Sequence, residues 1–195
     1  MRLVLALTLA TAAAGFAAPA FADCGEDIKA VMTLATSSGP YRMETQVKAA
    51  SGDMTMTGEM VPPAAIRTKT VIGGMTQEMV FVDGRGWMNT AGSWSELPAE
   101  VAGQMSAAVK ATGPDMLAGI TAPQCLGTQS VDGRDYLAFS FDYAVSGINT
   151  STTIYADPAT RRPAKLVSSS EVAGQKTETA ITYTYDPAIR ITAPL

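Results

Sequence analysis

Polar and apolar side chains alternate without interruption from residue 41 to 49. Tyr41, Met43, Thr45, Val47 and Ala49 project to one side, and Arg42, Glu44, Gln46 and Lys48 to the other. A period of two marks a half-buried antiparallel strand, because successive side chains of extended backbone point to opposite faces. After a Ser51-Gly52 turn, Met54, Met56 and Met60 share one face with Gly58, while Thr55, Thr57 and Glu59 take the other. Pro62-Pro63 and Gly73-Gly74 then delimit two more runs, 64–72 and 75–82, the second holding Met75, Met79 and Phe81. Turns at such regular intervals predict a meander with one apolar face.

Asp83-Gly84 turns the chain into a short strand over 86–90, and Ala91-Gly92 leads to Trp94; Trp87 and Trp94 are expected to cap one end of the sheet. A helix is predicted over 25–37, with Ile28, Val31, Met32 and Ala35 on one stripe and Ser38-Gly39-Pro40 as its stop. A second helix is predicted over 98–110, with Pro98 in its first position and a buried stripe of Val101, Met105, Ala108 and Val109. Gly113-Pro114 should break it and leave a separate helical piece over 115–120. Strands return over 125–131, 134–145, 149–156, 163–172 and 175–185, followed by a short last one over 188–191. The 134–145 run sets Leu137, Phe139, Phe141, Tyr143 and Val145 on one face, and the 175–185 run sets Ile181, Tyr183 and Tyr185 opposite Thr182 and Thr184. A sheet of about nine to eleven strands must curl strongly or close. The expected class is α+β, a strongly curved antiparallel sheet forming an incomplete β-barrel, with helices covering its concave face.

The 195 residues, 47% of them hydrophobic, suffice for one core and one domain. Met1-Arg2, an apolar run to residue 18 and Ala20-Phe21-Ala22 read as a cleavable secretory signal over 1–22, which leaves a single domain over 23–195 in the periplasm. Cys24 raises the alternative of a lipid-modified N-terminus, but the preceding Asp23 departs from the pattern lipidation needs. Cys24 and Cys125 are the only cysteines, and in an oxidising compartment they read as a structural disulfide. A redox pair would be expected in a Cys-x-x-Cys arrangement.

The chain carries 14 basic and 18 acidic residues and no basic patch interleaved with aromatics, which excludes nucleic acid as a partner. It has no histidine, which removes most metal sites, the Ser-His-Asp and Cys-His arrangements and the commonest general base. There is no Gly-x-Ser-x-Gly, no Ser-x-x-Lys and no phosphate-cradling loop, Gly84-Arg-Gly86 being a turn fragment. The expectation is a protein that is not an enzyme and has no cofactor.

Eleven methionines, Met1 included, are the compositional feature that bears most on function. Their flexible, polarisable side chains suit a cavity that adapts to acyl chains, and they suit ordinary core packing equally well. A thioether copper(I) site is a third reading; the lack of histidine, free cysteine or a dense Met-x-x-Met cluster speaks against it. The candidate cavity wall comprises Met43, Val47, Met54, Met56, Met60, Met75, Met79 and Phe81 from the first meander and Phe139, Phe141, Tyr143 and Tyr183 from the second. Arg161, Arg162 and Lys165 form one basic cluster, read as a solvated turn or as a contact for anionic head groups or a partner protein. Alternating strands are also the signature of a closed outer-membrane barrel; the helical insert and the Pro194-Leu195 end, without a terminal aromatic, argue against it.

The order of elements resembles the periplasmic lipoprotein-carrier superfamily, which includes the LolA and LolB chaperones and the LppX-type lipid carriers. The echoes are Val82-Asp-Gly-Arg-Gly-Trp-Met-Asn89 with Gly92-Ser-Trp94, Ile154-Tyr-Ala-Asp-Pro-Ala-Thr-Arg-Arg-Pro-Ala-Lys-Leu166, and Tyr185-Asp-Pro-Ala-Ile-Arg-Ile191. The resemblance implies a hydrophobic cavity between an incomplete barrel and a helical lid, and a monomer that carries a lipid or acylated protein, with an inner- or outer-membrane partner protein. The arginine that controls opening in LolA has no counterpart at Arg42, which sits on the polar face of its strand. The same scaffold also serves as a structural or sensory module with a filled core, acting through protein contacts. The mature protein recovered from the periplasm is expected to begin at Asp23; intact-mass measurement checks this, and an acyl adduct on Cys24 would show a lipoprotein instead.

Overall fold

In the computed structural model, which describes residues 23–63, 65–145, 147–172 and 174–195, Asp23 opens the first helix, α1 (Cys24–Ser37). Its extended backbone lets the carboxylate accept hydrogen bonds from the amides of Gly25 (2.9 Å) and Glu26 (3.4 Å). Glu26 and Asp27 lie at the positive end of the helix dipole, and Ile28, Val31 and Ala35 form the buried stripe. The expected leader over 1–22 lies outside the described residues.

Six strands follow: β1 (Tyr41–Ala49), β2 (Met54–Val61), β3 (Ala65–Ile72), β4 (Met75–Val82), β5 (Arg85–Thr90) and β6 (Ser93–Glu96). Helix α2 (Ala99–Ala118) leads to β7 (Thr121–Val131), β8 (Arg134–Val145), β9 (Ile148–Ala156), β10 (Pro163–Val172) and β11 (Gln175–Tyr185). Both Asp-Gly hairpins, Asp83-Gly84 and Asp132-Gly133, have positive φ at both residues, the conformation that matches the twist of the flanking strands. All eleven strands form one sheet in the order β6-β5-β4-β3-β2-β1-β11-β10-β9-β8-β7. The sheet is curved and unclosed, and the helices cover its concave face. β6 and β7 are its two edges, so the strands do not complete a barrel.

Three details depart from the sequence reading. α2 continues through Gly113-Pro114 as one element of 20 residues. An interior proline forfeits one helical hydrogen bond at a cost of about 3 kcal/mol, but its own fixed φ is helical. Within α2 Ala102, 1% exposed, packs closely in place of Val101, which is 40% exposed, while the expected Met105 is half-buried; the side chains of Ala108 and Val109 lie outside those described. The third departure is the strand expected over 188–191, which does not form. β11 already has β1 and β10 as neighbours, leaving no edge for a strand that follows directly. Asp186 instead turns the chain, its carboxylate accepting from the Ala188 amide at 2.8 Å and its carbonyl from the Ile189 amide at 3.2 Å.

This C-terminal tail has a packing role. Ile191 joins Val80 and Trp87 in a small core bordered by Val61, Val82 and Trp94. Val80 and Trp87 are cross-strand partners on the outer face of the sheet, opposite the methionine face. The tryptophans therefore build a second core under the tail rather than capping the end of the sheet.

The larger core lies beneath α1, where Ile28 and Val31 pack on Phe139, Phe141, Ile154 and Ala156. Two further links hold the helix: the Cys24–Cys125 disulfide, with Cα atoms 5.5 Å apart, and an ion pair of 2.9 Å from Arg161 in the β9–β10 turn to Asp27. Hydrophobic burial supplies the adhesion, and the disulfide restricts the unfolded chain over a separation of 101 residues. Replacing Cys24 or Cys125 by serine is expected to lower stability by about 4 kcal/mol in the chain-entropy account. Urea unfolding checks this, and the double variant should match either single one.

Candidate functional site

Strand register decides which side chains meet. Thr45 lies opposite Met56 on β2 and Ile181 on β11, and Val47 opposite Met54 and Thr179. Met54 lies opposite Ile72, Met60 opposite Ile66, and across the next ladder Ile66 opposite Phe81, Thr68 opposite Met79 and Ile72 opposite Met75. Met43 pairs with Tyr183. On the other flank Ile154 lies opposite Phe139 and Leu166, and Thr150 opposite Tyr143. Every residue of the candidate wall falls on the same side of the sheet, the side that α1 covers through Phe139 and Phe141. The inward positions of β1–β5 and β9–β11 carry no charged side chain among the described residues.

Burial divides this face. Phe139 and Phe141 are 1% and 2% exposed and lie fully within the core under α1. Met43, Val47, Met54, Met56, Met60, Met79 and Phe81 are half-buried, and Met75 at the β3–β4 turn is 74% exposed. Helix-to-sheet contact is concentrated where α1 meets β7 and β10 and where α2 meets β5 and β8, away from the centre of the methionine face. Phe81 lies against Gly86, where a Cβ would come within 2.6 Å of its ring. Three hydroxyls on this side, Thr45 Oγ1, Thr152 Oγ1 and Tyr185 Oη, are buried without a hydrogen-bond partner among the described residues. Sequence reasoning did not single out either threonine, although each lies on an inward position that alternation identifies.

The outer side of β1–β4 is an ion-paired surface. Glu59 accepts from Arg42 at 2.8 Å and faces Arg67 at 3.6 Å, and Lys69 faces Glu78 at 3.7 Å. Arg42 is thus an outward partner of Glu59. The basic cluster of the β9–β10 turn is engaged residue by residue: Arg161 with Asp27, Arg162 over the ring of Tyr185 at 5.1 Å, and Lys165 with Asp132 at 3.0 Å. It therefore does not stand free as an anionic head-group site. A shallow hollow of about 350 Å³ opens between Gln124, Ser140, Asp142, Ser151, Thr153 and Ser169, on the outer side of β7–β10.

No family model and no curated protein matches the sequence. Solved structures do. The Mycobacterium tuberculosis lipoprotein LppX aligns with a TM-score of 0.59 at 12% identity, over 87% of this chain and 98% of its own. LprF from Mycobacterium bovis aligns with a TM-score of 0.53 at 11% identity, over 87% of this chain and 97% of its own. The chain has the fold of LppX and LprF. MucB aligns with a TM-score of 0.51 at 18% identity over 91% of this chain, which spans only 62% of MucB. The same protein in complex with MucA aligns at 0.50. At these identities the fold is what the proteins share.

Within this LppX-like fold, the junction of β1 and β11 holds a tyrosine group. The Tyr41 ring lies 6.0 Å from that of Tyr183 and 5.7 Å from that of Tyr185. Burial pushes all three phenols upward from the ordinary value, and their mutual proximity adds to this for Tyr183 and Tyr185. A phenol with a raised folded-state pKa contributes stability that is complete below the unfolded value of 10.0 and is lost as pH rises above it. The urea midpoint is expected to stay level between about pH 7 and 9 and to fall above about pH 10. Tyr183→Phe, which keeps the ring and removes the titration, should make that fall shallower.

Proposed function

We propose that this chain is an exported, periplasmic carrier or binding protein for a lipid or the acyl part of a lipoprotein, acting by binding without chemistry. The observation that carries the reading is the half-buried, uncharged methionine face of β1–β4, continuous with the core under α1. Thioether side chains rearrange at little cost and so accommodate acyl chains of differing length. The helices offer a cover, and the carrier resemblance together with the shared fold of LppX and LprF supports the same function. In this reading Met43, Val47, Met54, Met56, Met60, Met79 and Phe81 form the wall, with Met75 at its rim. Tyr143 and Tyr183 border the wall, and Phe139 and Phe141 brace it from the core.

A second reading, a structural or sensory module acting through protein contacts, draws on the filled packing of Phe139 and Phe141 beneath α1 and on the MucB fold being solved in complex with MucA.

Native mass spectrometry of protein purified gently from its own periplasm is expected to show a bound lipid, and a fluorescent fatty acid should be taken up by the delipidated form. Met56→Glu places a charge on the apolar face and should weaken that uptake at least about tenfold, or roughly 1.4 kcal/mol, with an unchanged circular dichroism spectrum. An empty protein that also refuses added lipids would sink the carrier reading in favour of the module.

A further inference from the structure

The concave face is not uniformly apolar: Thr45, Thr68, Thr70 and Gln77 interrupt it on β1, β3 and β4, and on β9–β11 six adjacent positions are all hydroxyls. Ser168 on β10 lies opposite Thr152 on β9 and Thr179 on β11, and Ser170 lies opposite Thr150 and Thr177. These six residues occupy consecutive inward positions on three adjacent strands. They form a grid of about 10 by 7 Å, from the ordinary strand spacing and rise. The row through Ser168 continues on one side into Phe141 and on the other through Val47, Met54, Ile72 and Met75. A single line across the sheet thus passes from aromatic to hydroxyl to aliphatic.

The outward positions of the same strands are polar as well, Ser151, Thr153 and Ser169 among them. A sheet whose inner side only packs against helices would turn aliphatic residues inward here. Thr152 is 3% exposed, and its Oγ1 has no hydrogen-bond partner among the described residues. Thr45, 6% exposed and one inward position along β1 from Val47, has an unpartnered Oγ1 too. Tyr185 Oη, at the end of β11 on the same side, is the third such hydroxyl, and Thr152 is the one within the grid. Buried hydroxyls ordinarily have partners, so the unpaired Thr152 points to a group supplied by a ligand.

Building on the carrier reading, we propose that Thr150, Thr152, Ser168, Ser170, Thr177 and Thr179 form a hydroxyl subsite. It holds the uncharged polar junction of an acylated ligand, its ester carbonyls and glycerol hydroxyls, while the chains lie along the methionine side. Each hydroxyl both donates and accepts, which matches esters and alcohols. Among the described residues no lysine or arginine occupies an inward position of β9–β11 or β1–β5, so a buried carboxylate or phosphate would be uncompensated. The subsite therefore selects neutral acyl esters over ionised amphiphiles of equal chain length.

The test is displacement of Nile red from the delipidated full-length mature protein at pH 8 by 1-palmitoylglycerol and by palmitate. The wild type should favour the acylglycerol by about tenfold. Thr152→Val/Ser168→Ala/Thr179→Val should abolish that preference while leaving Nile red affinity within about threefold. The outward control Thr153→Val/Ser169→Ala should change nothing. If the triple variant does not fold, Ser168→Ala alone should still reduce the preference, and Ser168→Lys should turn it toward palmitate. A synthetic dipalmitoylglyceryl-cysteine peptide presents the same junction. Its displacing Nile red more strongly than the free acylglycerol identifies an acylated protein as the source of the ligand, and the reverse order identifies a free lipid. Equal binding of acylglycerol and palmitate, or a preference that survives the triple variant, overturns the subsite and leaves the carrier standing. Binding of neither Nile red nor any lipid overturns both.

Discussion

β1 pairs along its whole length with β11, from Tyr41 opposite Tyr185 to Ala49 opposite Thr177, and that ladder joins two meanders otherwise linked in sequence only through α2. The first meander steps outward from β1 to β6 and the second returns inward from β7 to β11. With the ladder at the centre, β6 and β7 become the edges, and α2 must travel from one to the other. Its 20 residues reach about 30 Å, a distance a curled sheet can present between its edges and a flat sheet of eleven strands cannot. The edges are poor templates for further pairing, since β6 has four residues and β7 is interrupted by irregular register at Gln124 and Gly127.

The inner face is divided by what covers it. On the β7–β10 side, α1 is held by apolar packing, a disulfide and an ion pair, and the aromatic residues beneath it are closed off from solvent. On the β1–β4 side the methionine positions stay half-buried. In the proposed carrier, a closely packed flank beside a half-buried one would allow binding without disturbing the core, because the residues proposed to meet the ligand are not those that hold the helix. The hydroxyl grid, on β9–β11, runs from the covered flank to the strand next to β1.

LppX and LprF share this architecture at 12% and 11% identity, so few particular side chains are needed to specify it. What the fold requires is inward and outward alternation, turn residues that reverse the chain, and a helix long enough to connect the edges. Those requirements leave the inner face free to vary in chemistry. Here it combines thioethers with hydroxyls, and its charges lie on the outer side in pairs such as Arg42 with Glu59.

Alternation made the parity of the strands legible from the chain alone, and parity decides which residues share a face because facing in extended backbone is locked to residue number. Met54 could therefore be placed with Met56, Phe139 with Phe141, and Tyr183 with Tyr185, each set on one face of its own strand, and the Asp83-Gly84 and Asp132-Gly133 turns were readable from local backbone preference. The partner of each strand across the sheet was not readable, since one alternating run is chemically acceptable beside many others. Only the assembled sheet decided that β1 lies beside β11, that Ser168 stands between Thr152 and Thr179, and that residues 188–191 have no edge to join. Only helix docking decided that Phe139 and Phe141 close under α1 while the methionines remain half-buried. The division has one physical cause: the face a side chain takes follows from bonds within its own strand, whereas its neighbours and cover depend on segments distant in the chain.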